Sequence, residues 1–350
     1  MPFPFPGERH GGAPIWRGVV QPLLIDGAGA MRRRTLLASP LLAAPFVAQA
    51  QAPWPNRPVR VINPYPPGGT SDIVMRHLAA TLERAFGQPF IIEPRPGAGG
   101  AVGTGFVATQ PPDGHTLLVS NTGPLAIAPS LFPTLAYRPT TAFTYIAMFG
   151  GAPILCAVSS RSPITTLAEY TAAAKARPEE ISYGSSGTGS VGHLAGVMYA
   201  LATDTKLLHV PYRGASEAET SVLGGTTTSL WNTLGAHAGN VRAGALRPLA
   251  VTSPERLAAY PDIPTAKEQG LPDVVATNWF LLAGPAGLPQ AIATRLNTVI
   301  GEALAEPAMV ERLGTLGLAP LGAFTPETLA TFVAREGEIW APVVKASGAS

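Results

Sequence analysis

The sequence predicts an α/β fold of two lobes, with two mainly parallel sheets and a hinge of crossing strands. Three observations lead to this prediction. From Trp54 onward, short β-branched and apolar runs alternate with helical patterns, which is typical of parallel strands covered by helices. Polar or glycine-rich segments follow the predicted strands, three in each proposed lobe. A length of 350 residues is sufficient for two hydrophobic cores.

The first lobe is assigned to residues 51–157 and 253–350, and the second lobe to residues 158–252. The last two predicted strands are expected to return to the first lobe. The strands predicted in chain order are 59–62, 90–93, 115–119, 143–147, 153–158, 181–183, 207–212, 229–231, 249–252 and 279–282. Helical patterns cover 70–87, 102–107, 167–176, 193–197, 217–223, 289–305, 307–316 and 326–344, with another after residue 233. Proline at or near the start of the three closing helices suits a first helical turn.

Loops at the strand-to-helix joins carry the polar and glycine-rich residues. In sheets of this type, ligands bind beyond the carboxyl ends of the strands. Loops from the two lobes would therefore face each other across a cleft. The loops are residues 66–72, 96–100, 120–124, 184–190, 213–214 and 232–235.

The first join has the clearest pattern. A Pro-Pro-Gly-Gly bend at 66–69 ends the first strand, and Thr70, Ser71 and Asp72 then open a helix. Such residues cap helices because their side-chain oxygens accept from the free N–H groups of the first turn. Glycines let a ligand approach the backbone, and a helix start is mildly positive. The pattern predicts an anion-binding site, and an ordinary strand-to-helix turn is the alternative.

The composition indicates a globular chain and gives no sign of a nucleic-acid partner. Hydrophobic residues make up 46% of the chain and charged residues 13%. Five of the 24 basic and two of the 22 acidic residues lie within the first 50 positions, which leaves 19 basic and 20 acidic residues after them. That part of the chain is nearly neutral and contains no basic run.

Residues 31–50 have the three parts of a secretory signal peptide: a basic start, an apolar centre, and a small-x-small end at 48–50. The apolar centre is too short for a membrane span. We take Met31 as the natural start and residues 1–30 as an upstream extension of the reading frame. We therefore expect the mature chain to begin at Gln51 and to be exported. Arg33 and Arg34 also loosely fit a twin-arginine signal, so Sec and Tat export both stay open.

Residues 187–192 match the dinucleotide pattern G-x-G-x-x-G in form only. That pattern needs an acidic residue about 20 positions later, where this chain has Tyr212 and Arg213. We therefore interpret 184–190 as a glycine-rich ligand loop. The sequence contains no G-x-S-x-G nucleophile motif, and its histidines after residue 50 show no metal-ligand spacing. It predicts no catalytic residue, no cofactor and no metal.

Several side chains keep more than one interpretation. His193, in a first helical turn, either faces the cleft or packs beside it. Arg213 pairs either with a ligand carboxylate or with a surface glutamate. Tyr65 forms either a cleft wall or core, whereas Trp231 is predicted in the core. Cys156, in an apolar run, is predicted to be a buried small hydrophobe.

Six motifs follow one another along the chain. They are Pro-Tyr-Pro-Pro-Gly-Gly-Thr-Ser-Asp at 64–72, Arg-Pro-Gly-Ala-Gly-Gly at 95–100, Pro-Asp-Gly-His-Thr-Leu-Leu at 112–118, His-Leu-Ala-Gly at 193–196, His-Val-Pro-Tyr-Arg-Gly at 209–214 and Leu-Ala-Val-Thr at 249–252. In these motifs the chain resembles the Bug family, the periplasmic solute-binding proteins of tripartite tricarboxylate transporters. The resemblance implies a type II-like periplasmic binding protein that closes like a Venus flytrap on a small carboxylate and passes it to a membrane permease.

The resemblance also implies which residues face the ligand, with a carboxylate held mainly by backbone N–H groups and bridging waters. Asp72 would organise its loop. The family commonly has aspartate at the position of Asn232, so the resemblance leaves the preferred ligand open. The residues implied in ligand binding are Tyr65, Gly68, Gly69, Thr70, Asp72, Ser120, Asn121, Ser186, Gly187, Thr188, Gly189, His193, Arg213 and Asn232.

We therefore expect a binding protein rather than an enzyme. It would capture a small organic acid for a tripartite tricarboxylate-type permease, as a monomer without a membrane span or a nucleic-acid partner. One alternative is a ligand sensor that signals to the kinase of a two-component system. Another is a secreted hydrolase, which would need an oriented Ser–His–acid set that the sequence does not supply.

Overall fold

The computed structural model describes residues 54–348. The predicted upstream extension and signal peptide, residues 1–50, lie outside the described residues. The strands are β1 Val59–Asn63, β2 Phe90–Pro94, β3 Thr116–Asn121, β4 Phe143–Ser159, β5 Ser182–Ser185, β6 Leu208–Pro211, β7 Ser229–Thr233, β8 Leu246–Val251 and β9 Thr277–Pro285. The helices are α1 Thr70–Phe86, α2 Ala101–Ala108, α3 Ala128–Leu131, α4 Pro139–Ala142, α5 Leu167–Ala176, α6 Val191–Thr203, α7 Ala215–Gly224, α8 Leu234–Arg242, α9 Gln290–Ala305, α10 Pro307–Thr315 and α11 Pro326–Ala346.

The strands form a mixed sheet whose hydrogen-bonded neighbours follow the order β2-β1-β3-β9-β4-β7-β5-β6, with β8 also paired to β4. The parallel pairings that the sequence predicts lie towards its two ends: β1 pairs with β2 and β3, and β5 pairs with β6 and β7. The crossing strands β4 and β9 pair antiparallel to their neighbours. The fold thus has two groups of parallel strands joined through β4 and β9, as predicted for a two-lobed α/β molecule.

Strand β4 corrects one prediction, because residues 143–147 and 153–158 belong to one strand rather than two. Its first part pairs with β9, and its second part pairs with β7 and β8. Gly150 and Gly151 lie between the two predicted strands, but Gly151 exchanges main-chain hydrogen bonds of 2.9 and 2.8 Å with Ala319 and stays extended. The register with β9 shifts between Met148 and Gly150, which bends β4 without ending it.

Strand β8 corrects a second prediction. The sequence predicts that residues 249–252 return to the first lobe, but β8 pairs with the second part of β4, at 155–159. The chain crosses back only after β8, where the Thr252 hydroxyl accepts from Ile154 N–H (2.8 Å) and donates to Ala276 O (2.6 Å). Residues 279–282 do pair on the first side, within β9.

Strands β3 and β7 extend about two residues further than predicted. Ser120, Asn121, Asn232 and Thr233 therefore end strands rather than begin loops. Their side chains are polar, as in loops, but their backbones continue the pairing: the first two pair with β9 and the last two with β4. All four residues are buried, so these strand ends carry polar groups into the interior.

The core contains the two residues for which the sequence predicts a buried position. Trp231 is 0% exposed, and its ring centroid lies 5.0 Å from that of Tyr199. Cys156 is fully buried on β4, and burial raises the pKa of its thiol well above the ordinary value. None of the helices between residues 54 and 348 combines the length and the apolar composition that a membrane span requires. The lobe boundaries given above stay predictions.

Candidate functional site

Helices α1, α6, α7 and α8 all begin beside one cavity that is open to solvent. Residues of β3, β7 and β9 complete the walls. The lining residues are Tyr65, Gly69, Thr70, Ser71, Asn121, Ser186, Ser190, Val191, Gly192, Ala215, Asn232, Thr233, Ala236, Asn278 and Phe280. None of these side chains is charged.

Main-chain N–H groups at helix starts border this cavity. Thr70 and Ser71 occupy the first two positions of α1, and Val191 and Gly192 those of α6. The N–H groups of a first helical turn have no partner within their own helix, and the aligned peptide dipoles place partial positive charge there. Several such ends at one cavity favour an anion without a fixed cation.

The bend before α1 is held by Asp72. Its Oδ2 accepts from Gly68 N–H (3.0 Å), and the carboxylate pairs with Arg76 at 3.0 Å. The N-cap residue of α1 is Gly69, which has no side chain to cap the helix. Residues 70–72, which the sequence predicts as capping residues, lie inside the helix instead. Two of the predicted capping groups have other partners: Asp72 bonds Gly68, and Ser71 Oγ donates to Asn63 Oδ1 (2.9 Å).

Tyr65 forms a wall of the cavity on the same side. Its hydroxyl donates to Gly99 O (2.8 Å) and also lies 3.2 Å from Asn121 Oδ1. Asn121 Oδ1 also accepts from Gly123 N–H (3.2 Å), which orients the amide at the end of β3. Burial raises the pKa of Tyr65, so its hydroxyl stays protonated.

The loop before α6 is held by neutral groups. Ser186 Oγ donates to Asn232 Oδ1 (2.8 Å), and Ser190 Oγ caps α6 by accepting from His193 N–H (3.2 Å). Gly187 and Gly189 have φ values of +116° and +83°, in the left-handed region that favours glycine.

His193 lies beside the cavity and is not among the residues that line it. Its ring stacks on that of His209 with centroids 4.1 Å apart, and its Nδ1 accepts from Gly189 N–H (3.4 Å). His209 Nε2 lies 2.7 Å from Ser185 Oγ, which in turn accepts from Gly187 N–H (3.2 Å). Burial lowers the pKa of His193 to about 4 and that of His209 to about 3, so both rings are neutral at pH 7.

The loops on the two sides of the cavity touch at glycines. A Cβ atom on Gly99 would lie 2.4 Å from Thr188 O, and one on Gly214 would lie 2.9 Å from Cδ of Pro66. Both distances are too short for a side chain, so glycine at these positions lets the loops approach each other closely.

The structure brings six of the sequence-predicted residues to the cavity wall, while the others support or flank it. The six are Tyr65, Gly69, Thr70, Asn121, Ser186 and Asn232. Gly68 and Asp72 shape the first bend, Ser120 is buried within β3, and Gly187, Thr188 and Gly189 form the facing loop without lining the cavity. Arg213 is exposed outside the cavity, and its main-chain N–H donates to Glu217 Oε2 (3.2 Å).

Sequence reasoning missed several lining residues. Ser71, Ser190 and Thr233 lie within loops predicted to face the cleft but are not among the residues implied in ligand binding. Val191, Gly192, Ala215 and Ala236 belong to the first turns of helices that the sequence does predict, so a rule that includes the first helical turn would find them. Asn278 and Phe280 lie inside β9, with no glycine or turn signal beside them.

The structure offers little for other chemistry. Ser185 and His209 are adjacent, but Ser185 is fully buried, and no acidic side chain is hydrogen-bonded to His209 in the described chain. Among residues 54–348, no group of three or more His, Cys, Asp or Glu side chains could hold a metal ion.

Comparisons with known proteins agree with the motifs. The sequence model of the tripartite tricarboxylate transporter family receptor matches residues 74–349. BugT of Bordetella pertussis is 36% identical over 314 residues, which cover 89% of this chain and 95% of BugT.

Solved structures share the fold at similar identity. The periplasmic binding protein BugD has a TM-score of 0.81 and 30% identity, over 85% of this chain and 99% of BugD. Rpa4515 of R. palustris with adipate has a TM-score of 0.81 and 32% identity, over 84% of this chain and 98% of that one. MatC from Rhodopseudomonas palustris with bound malate has a TM-score of 0.79 and 32% identity, over 83% of this chain and 100% of MatC.

These relatives are binding proteins and receptors, not enzymes, which is the class that the sequence predicts. The likeness extends over most of this chain and nearly all of each relative. The chain therefore belongs to the family of tripartite tricarboxylate transporter receptors, together with the Bug proteins.

Proposed function

We propose that this protein is a periplasmic solute-binding protein that captures a small organic acid in the cavity and delivers it to a membrane permease of the tripartite tricarboxylate type. The observation that carries the proposal is the convergence of four helix starts on a cavity whose lining residues are all uncharged. The oxygens of a carboxylate can accept from several main-chain N–H groups at once. Relatives of the same fold hold adipate and malate, which supports this class of ligand.

In this proposal the six predicted residues at the cavity wall contact the ligand or its bridging waters, together with the first turns of α1 and α6. The remaining predicted residues shape the loops. The protein acts as a monomer of two lobes, 51–157 with 253–350 and 158–252, after removal of the signal peptide 31–50. Movement of the lobes about β4 and β9 couples ligand binding to recognition by the permease.

Calorimetry on the purified exported protein tests the ligand class. The panel contains mono-, di- and tricarboxylates, amino acids and nicotinate-like aromatic acids. We expect at least one carboxylate to bind with a stoichiometry of about one, because one cavity collects the helix starts. Absence of binding by every carboxylate, or turnover of any panel member, would contradict the proposal.

A pair of variants at Thr70 tests the role of the cavity's electrostatics. Thr70→Asp places a carboxylate at the cavity, whereas Thr70→Asn has nearly the same size without the charge. We expect Thr70→Asp to bind the carboxylate ligand about 100-fold more weakly than Thr70→Asn, since like charges facing each other cost several kcal/mol. Circular dichroism checks the fold of both variants. Equal affinities would show that the anionic group of the ligand lies elsewhere.

A further inference from the structure

Three buried side chains at the cavity have a polar atom without a hydrogen-bond partner. The atoms are Thr70 Oγ1, Asn232 Nδ2 and Asn278 Oδ1, and the residues are 4%, 3% and 6% exposed. Buried polar groups in proteins are nearly always hydrogen-bonded, so three orphans at one cavity need an explanation. A ligand in the cavity can supply their partners, because all three residues line it.

The contacts of Asn232 determine which of its side-chain atoms is free. The main-chain N–H of Thr233 donates to Asn232 Oδ1 at 3.0 Å, and a main-chain nitrogen can only donate. The accepting atom is therefore the amide oxygen, and Ser186 Oγ donates to the same oxygen at 2.8 Å. The side-chain group of Asn232 without a partner is consequently an N–H donor, on a residue that lines the cavity.

Asn278 contributes the opposite group. It lies on β9, and its Nδ2 donates to Thr233 Oγ1 at 2.8 Å, which leaves Oδ1 as a free acceptor. Thr233 thus contacts both amides, Asn232 through its main chain and Asn278 through its side chain. The Thr70 hydroxyl, which can donate or accept, completes the set at the start of α1.

We infer that Asn232, Asn278 and Thr70 form a subsite for a hydroxyl group, so that the protein selects hydroxycarboxylates among small acids. The inference rests on the proposed function, in which the helix starts hold the carboxylate. A hydroxyl group accepts from Asn232 and donates to Asn278 at the same time.

A ligand that carries another group in place of the hydroxyl would leave Asn232 or Asn278 without a hydrogen-bond partner. A methylene would leave both amides without partners, which a buried polar site penalises strongly. An ammonium could donate to Asn278 but could not accept from Asn232, and no lining residue carries a carboxylate to balance its charge.

Three matched ligand series test the inference on the unmodified protein by calorimetry. They are acetate, glycolate and glycine; propionate, lactate and alanine; and succinate, malate and aspartate. Within each series the skeleton is constant and only hydrogen, hydroxyl or ammonium changes. We expect the hydroxyl form of the best-bound skeleton to bind at least about 10-fold more tightly than the other two forms.

Two variants of equal charge separate the donor at Asn232 from the added charge. Asn232→Asp replaces the free donor by an acceptor, while Thr233 N–H and Ser186 can still donate to the side chain. Asn278→Asp adds the same charge but keeps an acceptor. We expect the ratio of hydroxyl to ammonium affinity to fall at least about 10-fold more in Asn232→Asp than in Asn278→Asp.

The outcomes distinguish this inference from the function on which it rests. If none of the carboxylates in the panel or the three series binds, the proposed function fails and the inference fails with it. If carboxylates bind, but hydroxyl forms are never preferred or the two variants change the ratio equally, only the hydroxyl subsite is overturned. Hydroxyl preference that depends on Asn232 supports both.

Discussion

On one side of the cavity, an ionised group organises the bend before α1: Gly68 N–H donates to Asp72, and Asp72 pairs with Arg76. On the other side, the loop before α6 depends on uncharged groups. Ser190 caps the helix, His193 accepts from the loop, and the second ring, His209, stacks beneath it. Both sides present a helix start to the same cavity.

The difference shows that a loop before a helix can be stabilised either by a charged carboxylate or by uncharged side chains. The carboxylate of Asp72 carries a negative charge close to the proposed anion site, and Arg76 on the next turn pairs with it. The loop before α6, which packs against the imidazole rings of His193 and His209, needs no counter-charge. Its hydrogen bond from Gly189 N–H to His193 Nδ1 requires that this ring be neutral. The two loops should therefore respond differently to acid and to substitution.

Acidification gives the largest expected effect on the imidazole side. The pKa values of about 4 for His193 and about 3 for His209 lie below the ordinary value of 6.5 because desolvation disfavours the charged form of each ring, and the pKa of His209 is lowered further by the neighbouring His193. The unfolded chain therefore binds more protons than the folded chain below about pH 6.5, and the free energy of unfolding falls as the pH is lowered towards 4. We expect a loss of up to about 3 kcal/mol from His193, measured by urea unfolding between pH 7.5 and pH 4.

The variant His193→Gln provides the control for this pH dependence. Glutamine offers a neutral acceptor that does not titrate, so the variant should show a flatter pH dependence even if it is less stable at pH 7. The groups packed against the two rings include Tyr183 and Ser185, which are uncharged in this range. The same slope in the variant and the natural protein would refute the assignment.

Substitution of Asp72 should give an intermediate effect on the carboxylate side. Asp72→Ala removes the acceptor of Gly68 N–H and leaves Arg76 unpaired, so we expect the free energy of unfolding to fall by about 2 kcal/mol. Arg76→Gln removes only the partner whose side chain is 57% exposed, and should cost less than about 1 kcal/mol. Urea titrations at pH 7 compare the two. Equal losses would mean that the ion pair, rather than the bond to Gly68, holds the bend.

Substitution of the N-cap residues of α6 and α1 should change the free energy of unfolding least. It tests whether a side-chain cap stabilises both helices to the same extent. Ser190→Ala removes the cap of α6 and should cost about 1 kcal/mol. Gly69→Ser offers α1 a cap that it lacks, and an added Cβ would have 3.9 Å to its nearest neighbour, Pro66 O. We expect a gain of only a few tenths of a kcal/mol. Thermal unfolding of both variants measures the contrast, and a loss on Gly69→Ser would show that α1 requires glycine.

The sequence predicts the position of the cavity because the local signals of a strand-to-helix join are strong. Pro66 to Gly69 mark the end of a strand, and six of the predicted residues reach the cavity wall. The ends of β3 and β7 are less predictable, since polar residues such as Asn121 and Asn232 continue a ladder that only the neighbouring strand defines.

The remaining features of the site depend on distant contacts. The ring of His193 stacks on that of His209, which lies on β6. The residues around His193 in the sequence give no indication of this contact. Asn278 meets Thr233 only because β9 crosses between the two groups of strands. No local pattern encodes such a meeting of residues from separate parts of the chain.

The position of β9 has a consequence for how the protein is made. This strand lies in the interior of the sheet, between β3 and β4, yet the ribosome reaches it after both of them, at residues 277–285. Until residues 277–285 are synthesised, the edges of β3 and β4 that pair with β9 have unpaired N–H and C=O groups. Such unpaired edges can pair with strands of other chains and cause aggregation. Nascent copies interrupted before residue 285 should be the most aggregation-prone, because the sheet closes only when its inner strand arrives.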